Sequence, residues 1–300
     1  MRDTLLLIDA NSLIHRAFHA LPPFTGPDGR PTGALYGLAS MVLKILKEKN
    51  PKYIAAAFDS KEPTFREGYF PEYKGTRAPT DDNLIPQLIE SKTLLEAFGI
   101  KTFALVGSEA DDLVASLAKM FAGKQNLQVV ILSGDRDMFQ AVQGDDVVVE
   151  TPEKGISNTV IYDDVKVKEK FGVGPINIAD FKGLVGDKSD NIPGVPGIGP
   201  KTAADLIQKY GSIEDIYQNV EGGRFENEKL KSKLVEHKKI ALLSKKLAVL
   251  KTDCLENIDL KSLEMQSINI PKVTEYFETL GSQSLIDRLN KNYNNQDVLG

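Results

Sequence analysis

The sequence predicts an α/β fold in which a parallel-sheet body is followed by a mainly helical C-terminal part. Three observations lead there. Short apolar runs that end in acids alternate with helix-forming stretches, as at residues 4–8 ahead of Asp9 and in YIAAAFD ending at Asp59; such runs read as buried parallel strands. The stretch VVVETPEKGISNTVIY, residues 147–162, carries the turn signals of an edge hairpin near Pro152, Gly155, Ser157 and Asn158, and it ends the alternation. Beyond it the pattern is helical, apart from LVGDKSDNIPGVPGIGPKTA at residues 184–203, where acids and then glycines and prolines crowd ahead of a helix. The chain therefore divides into an α/β domain at 1–162, a helical domain at 163–290 and a polar tail at 291–300.

Each element has a local reason. After the first strand, Asn11 reads as the cap of a helix with Leu13, Ile14, Ala17 and Phe18 on one face. A loop rich in Pro and Gly (22–33) leads to a second helix at 34–48 and then to the strand that ends at Asp59. Residues 60–82 change character, interleaving Lys61, Arg66, Lys74 and Arg77 with Phe65, Tyr69, Phe70 and Tyr73. Single-stranded nucleic acid is bound in this way, cations tracking phosphates while rings stack on bases; the acids mixed into the segment leave a solvated surface loop as the alternative. A helix at 84–98 returns to the body and a strand follows at 101–106. In SEADDLVASLAKMF, Ser108 and Asp111 have capping-box spacing, and Leu113, Leu117, Met120 and Phe121 form an apolar face. A fourth strand at 129–132 runs into a turn holding Asp135 and Asp137. Helices are expected at 163–171, 176–185, 201–210 and 212–219, with weaker ones at 272–280 and 282–289. Residues 228–251 carry eight lysines against two glutamates, which suits either a DNA backbone or an ordinary solvated helix face.

Composition bounds the function. A 300-residue chain with 41% hydrophobic residues can bury a large core. No apolar run reaches membrane-spanning length, and Asp9 interrupts what would be a signal peptide's apolar region, so the expectation is a cytoplasmic protein with no membrane partner. A single cysteine, Cys254, permits no internal disulfide and no cysteine zinc site. His15 and His19 lack the glutamate of an HExxH zinc motif, and no GxxxxGK[ST] loop supports NTP hydrolysis. The net charge of −5 does not announce a nucleic-acid ligand, although a cluster of acids would mask basic patches elsewhere.

That cluster is the main chemical signal. Asp9, Asp59, Glu109, Asp111, Asp112, Asp135, Asp137, Asp187 and Asp190 fall at five strand or helix ends. One acid ending a strand, or one or two favouring a helix dipole, needs no ligand; five coincidences do. Crowded carboxylates repel unless cations neutralise them, and hard oxygen donors select Mg²⁺ or Mn²⁺ over zinc. The surplus over two ions implies a third ion or acids acting through water. Next to the last pair, the turn PGIGPK offers backbone N–H groups and Lys201 to a phosphate. Gly197 and Gly199 permit close approach, and Pro200 opens the helix that follows.

With these residues assembled, the chain resembles the 5′ nuclease (5′-3′ exonuclease) domain of bacterial DNA polymerase I, within the flap endonuclease family. LLLIDANSLIHRAFHALP, AAFD, FREGYFPEYKGTRAPT, SEADDLVASLA, SGDRDMFQ and GDKSDNIPGVPGIGPKTAADL carry the likeness, over roughly residues 4–290, with Ala10 departing from the family's usual Gly. The resemblance implies a PIN-like body, a helical arch at about 64–98 and a helix-hairpin-helix module at about 180–210. It places Asp9, Asp59 and Asp111 at one metal and Glu109, Asp135, Asp137 and Asp187 at another, with Asp112 and Asp190 unassigned. K⁺ would sit at the hairpin. Tyr73, Lys74 and Arg77 would hold DNA near the scissile phosphate, Lys74 and Arg77 adding transition-state charge, with Arg16 and Arg66 nearby. The implied reaction is two-metal hydrolysis of 5′ flaps, nicks and 5′ ends, RNA primers included, in replication and repair. A monomer working beside a polymerase and a ligase is the implied setting. The rival readings are a non-catalytic DNA-binding module and a PIN-like ribonuclease.

Overall fold

The computed structural model describes residues 2–155 and 158–293. Strand β1 (Asp3–Asp9) is followed by helices α1 (Ala10–Ala20) and α2 (Gly33–Lys49), then β2 (Tyr53–Ala57). Helices α3 (Phe65–Tyr69) and α4 (Ile85–Ala97) precede β3 (Lys101–Phe103), α5 (Ala110–Phe121) and β4 (Leu127–Leu132). A hairpin of β5 (Val147–Lys154) and β6 (Asn158–Tyr162) ends the sheet. The strands lie in the order β3-β2-β1-β4-β5-β6, parallel throughout except for β6, which runs antiparallel to β5.

The two-residue period of the strands sorts their side chains between two cores. Leu5, Leu7, Ala55, Ala57, Val129 and Ile131 face α5. Leu6, Ile8, Ile54, Ala56, Val130 and Leu132 face α1, α2 and α4. Both faces are covered, which is why these strands read as unbroken apolar runs. The strand order reverses between β1 and β4, and the carboxyl ends of strands at such a reversal form a natural crevice.

The helical part comprises α6 (Asp164–Phe171), α7 (Ile178–Val185), α8 (Pro200–Tyr210), α9 (Ile213–Glu221), α10 (Glu228–Glu236) and α11 (Lys238–Ala248). Between α7 and α8 the chain makes the expected hairpin. Gly186 and Gly194 both have positive φ and pack backbone to backbone, so a Cβ at Gly194 would strike the Gly186 nitrogen. The lysine-rich stretch is two helices meeting at His237 rather than one. Helices α12 (Ile270–Thr279) and α13 (Gln283–Tyr293), expected within the helical domain, pack on α4 and α2 instead, burying Val273, Phe277, Leu285 and Leu289 in the second core. The expected tail begins late, because α13 runs through Tyr293; residues 294–300, and Ser157 of the expected turn, lie outside the described residues.

Two expected caps are shifted. Asp9, not Asn11, caps α1, accepting from the Ser12 amide. The capping box of α5 pairs Glu109 with Asp112, one position beyond Ser108 and Asp111. Among the described residues, no helix is long and apolar enough to cross a membrane.

Candidate active site

A cleft of about 680 Å³ opens at the carboxyl ends of β1, β2 and β4. Asp9, Asp59, Glu109, Asp111, Asp135, Asp137 and Asp187 line it. Asp112 and Asp190 do not, and both are bound to cationic side chains.

Local structure explains how so many acids converge. Asp9 ends β1 almost fully buried, accepting from the Ser12 amide at 3.1 Å and the Ser133 hydroxyl at 2.7 Å. Asp59 follows β2; its amide donates to Asn11 and its carboxylate accepts from the Ala110 amide at 2.8 Å, which fixes the start of α5 beside it. Glu109, Asp111 and Asp112 occupy that helix start, with carboxylate oxygens all within 4.8 Å of one another. Asp135 caps a 3-10 turn at Arg136–Ala141 by accepting from the Asp137 amide. Asp187 arrives on the loop after α7, accepting from the Ser189 amide and hydroxyl.

The electrostatics are those of a cation site. Burial pushes the Asp9 carboxyl up to about 7, with Asp135 and Asp59 adding to the rise against the hydrogen bonds from Ser133 and Ser12. Burial, then Asp112 and Glu109, hold Asp111 well above the usual carboxylate range. Burial likewise raises Asp135, against the pull of Lys182. Asp187 goes the other way: burial pushes it up, but Lys182 and Ser189 outweigh that and hold it low. Buried carboxylates that resist ionisation, in an all-oxygen donor set, fit hard divalent cations, which would supply the missing countercharge. Asp112 is less suited to ligation, because Arg66 and the Lys251 amide occupy its oxygens.

A stability signature follows. The folded-state value of Asp9 lies above its unfolded value of 3.8, so ionising it costs stability as pH rises from about 4 to about 7, by at most about 4 kcal/mol. Asp187, with its lowered value, contributes stability that is lost as pH falls through the acid range. In chelator-treated protein, thermal melts at increasing pH should show a decline over pH 4–7 that Asp9→Asn flattens; an unchanged slope in that variant would contradict the assignment.

The segment expected to form an arch lies across these acids. Helix α4 belongs to the body, with Leu94 and Leu95 buried, while the turns after α3 bring Lys74 and Arg77 to the wall of the cleft. Lys74 sits in the left-handed region at φ 56, its amide donating to the Asp190 carbonyl and its ammonium 2.8 Å from Glu109. Arg77 reaches Asp190 at 2.6 Å. Tyr73, expected to meet DNA, is 6% exposed and donates to Glu109 and Asp190. Arg66, expected among the DNA contacts, is 1% exposed and spends all its N–H donors internally, on Asp112, Glu109 and the carbonyls of Leu247 and Val249. It ties the covering segment to the end of α11.

Arg16 is pinned by the carbonyls of Glu153 and Gly155, at the rim next to the cleft. Gly197, Gly199 and Lys201 come together at the start of α8, Gly199 capping it and Lys201 exposed in its first turn. The Gly197 carbonyl accepts from Lys233 at 3.3 Å. Sequence reasoning missed Lys182, whose ammonium bridges Asp137 and Asp187; a lone lysine in the apolar run IADFKGLV was the available signal.

Acids gathered at the carboxyl edge of a parallel sheet, beside a helix-hairpin-helix, are the arrangement of a nuclease of the PIN-like class. Comparison with known proteins makes the assignment specific. Residues 4–172 match the 5′-3′ exonuclease N-terminal resolvase-like domain, and residues 173–271 match the 5′-3′ exonuclease C-terminal SAM fold. The chain thus belongs to the 5′-3′ exonuclease family and is a nuclease, a hydrolase. It is 41% identical to DNA polymerase I of Bacillus subtilis over 96% of its own length and 32% of that protein's. It is 44% identical to DNA polymerase I of Mycobacterium tuberculosis over 74% and 25%. It therefore spans about a third or less of the length of these curated relatives. Among solved structures, the zinc-bound 5′-exonuclease of bacteriophage T5 superposes with a TM-score of 0.66 at 22% identity, covering 96% of this chain and 97% of that one. Human GEN1 in complex with Holliday junction DNA gives 0.62 at 15% identity, covering 98% and 73%. These structural likenesses establish a shared fold.

Proposed function

We propose that this nuclease is a structure-selective 5′ nuclease that hydrolyses DNA at 5′ flaps, nicks and 5′ ends, leaving a 5′-phosphate and a 3′-hydroxyl. The observation that carries the proposal is the convergence of seven carboxylates from five separate segments in one cleft, roofed by Lys74 and Arg77.

In this reading Asp9, Asp59 and Asp111 hold one divalent ion, and Glu109, Asp135, Asp137 and Asp187 hold another, Mg²⁺ or Mn²⁺. Such ions, when bound, activate water and stabilise the leaving 3′ oxygen. The chain's own residues do the rest. Asn11 and Ser133 fix the Asp59 and Asp9 segments so that the acids are placed before substrate arrives. Lys74 and Arg77 bring positive charge to the rim where a phosphodiester would enter. The α7–α8 hairpin presents Gly197, Gly199 and Lys201 to the duplex backbone, with K⁺ as a candidate aid, a contact that positions DNA without reading sequence.

The proposal extends to removal of primers and flaps in replication and repair, in the cytoplasm, as a monomer. Synthesis and sealing would come from a polymerase domain or protein and a ligase. The similarity to DNA polymerases I supports that setting.

The decisive assay uses a 5′-labelled flap duplex, a nicked duplex and an RNA-flap analogue, each with Mg²⁺ and with EDTA. The expected result is a short labelled product from the DNA flap, present with Mg²⁺ and absent with EDTA. A flap that is bound yet intact with both Mg²⁺ and Mn²⁺ would make the chain a DNA-binding module. A clear preference for RNA would make it a PIN-like ribonuclease.

A further inference from the structure

Lys182 is a basic residue that the proposed mechanism does not use. It projects from α7 into the cleft, with 11% of its side chain exposed, and its ammonium contacts the Asp137 carboxylate and lies 2.6 Å from Asp187 Oδ2. Those two acids reach it from different segments, Asp137 from the turn after β4 and Asp187 from the loop after α7. A cationic nitrogen bridging both oxygens marks the place between them as favourable for positive charge. A divalent ion shared by the same two carboxylates would fall within contact distance of the ammonium, and the two cations exclude each other there.

We propose that Lys182 is a built-in counter-ion that competes with a divalent cation for Asp137 and Asp187. On DNA binding, the phosphodiester draws the ammonium away and opens this side of the cleft to the metal. Lys182 is thus a positioning residue that makes loading of one metal site contingent on substrate. The anchoring of Lys182 on α7, the first helix of the hairpin module, places this switch where duplex binding is felt. On the opposite side of the cleft, Asp9 and Asp59 are held by hydroxyl and amide donors, and among the described residues no lysine bridges them as Lys182 bridges Asp137 and Asp187. The inference rests on the metal-dependent reading above.

The test is titration of the DNA-free 300-residue chain with Mn²⁺, followed by calorimetry and by the signal of free Mn²⁺, for the wild type, Lys182→Met, Lys182→Gln and Lys182→Arg. Wild type should take one Mn²⁺ tightly and a second weakly. Lys182→Met should tighten the second by about tenfold or more and leave the first unchanged, while Lys182→Arg, which keeps the charge, stays near wild type. Lys182→Gln serves the same purpose if the Met variant fails to fold. Adding a 5′-phosphorylated oligonucleotide should tighten the second Mn²⁺ in wild type by a larger factor than in Lys182→Met. An unchanged or weaker second site in both neutral variants would overturn the role of Lys182 while leaving the metal reading intact. Absence of Mn²⁺ binding in every form would overturn both.

Discussion

Asp135→Asn is expected to lower Mg²⁺-dependent flap cleavage by about 10²–10³-fold or more, the scale on which a pre-placed electrostatic partner contributes to a transition state. The substitution is clean for a structural reason. Asp135 caps its turn with one oxygen, accepting from the Asp137 amide at 2.8 Å, and the carbonyl oxygen of Asn can accept the same bond. What disappears is the negative charge at the cleft. Binding of an uncleaved flap duplex should remain measurable, because the α7–α8 hairpin is untouched, and the melting temperature of the metal-free protein should hold or rise as repulsion among the acids is relieved. Wild-type cleavage rates in this variant would remove Asp135 from the metal site.

The largest loss of stability is expected from Arg66→Ala. Arg66 is 1% exposed and satisfies Asp112, Glu109 and two carbonyls of the α11 end at once. Truncation leaves the fully buried Asp112 carboxylate facing an empty space, and breaking a buried pair from one side costs about 3–5 kcal/mol. For a chain of this size the melting temperature should fall by on the order of 10 °C. Removing both charges together, as Arg66→Met with Asp112→Leu, should recover part of that loss, because the desolvation of the pair is removed along with its attraction. Thermal denaturation of the single and double variants tests this; a single variant as stable as wild type would show that the Arg66 network contributes nothing net.

Much of this architecture is legible in local sequence, and the reason is periodicity. Strands buried on both faces leave apolar runs, and acids at their ends are visible as residues, so the convergence of Asp9, Asp59 and Asp135 on one edge follows once the sheet is parallel. The hairpin is equally plain, because its backbone demands glycine where Gly186 meets Gly194. What local pattern does not carry is pairing across long stretches of chain. Arg66 looks like a surface cation among aromatics, yet its partners lie at Asp112, Leu247 and Val249. Lys182 looks like a lone lysine on a mainly apolar helix until the fold brings Asp137 to it. The same limit hides the return of α12 and α13 to the body. Caps fail for a finer reason: Asp9 and Asn11 both have side chains able to cap, and only the geometry of the strand end selects Asp9, releasing Asn11 to hold the Asp59 amide.

The return of those last two helices bears on how the chain comes off the ribosome. Every described strand and all seven cleft acids are translated before residue 270, whereas the side of α2 and α4 that receives Val273, Phe277, Leu285 and Leu289 stays bare until residues 270–293 emerge. Helix α2, buried along most of its length, is then the surface that a nascent chain must keep from sticking elsewhere. Assembly of the body is therefore completed only by α12 and α13: a nascent chain halted before α12 would already hold its strands and acids while lacking one layer of the second core.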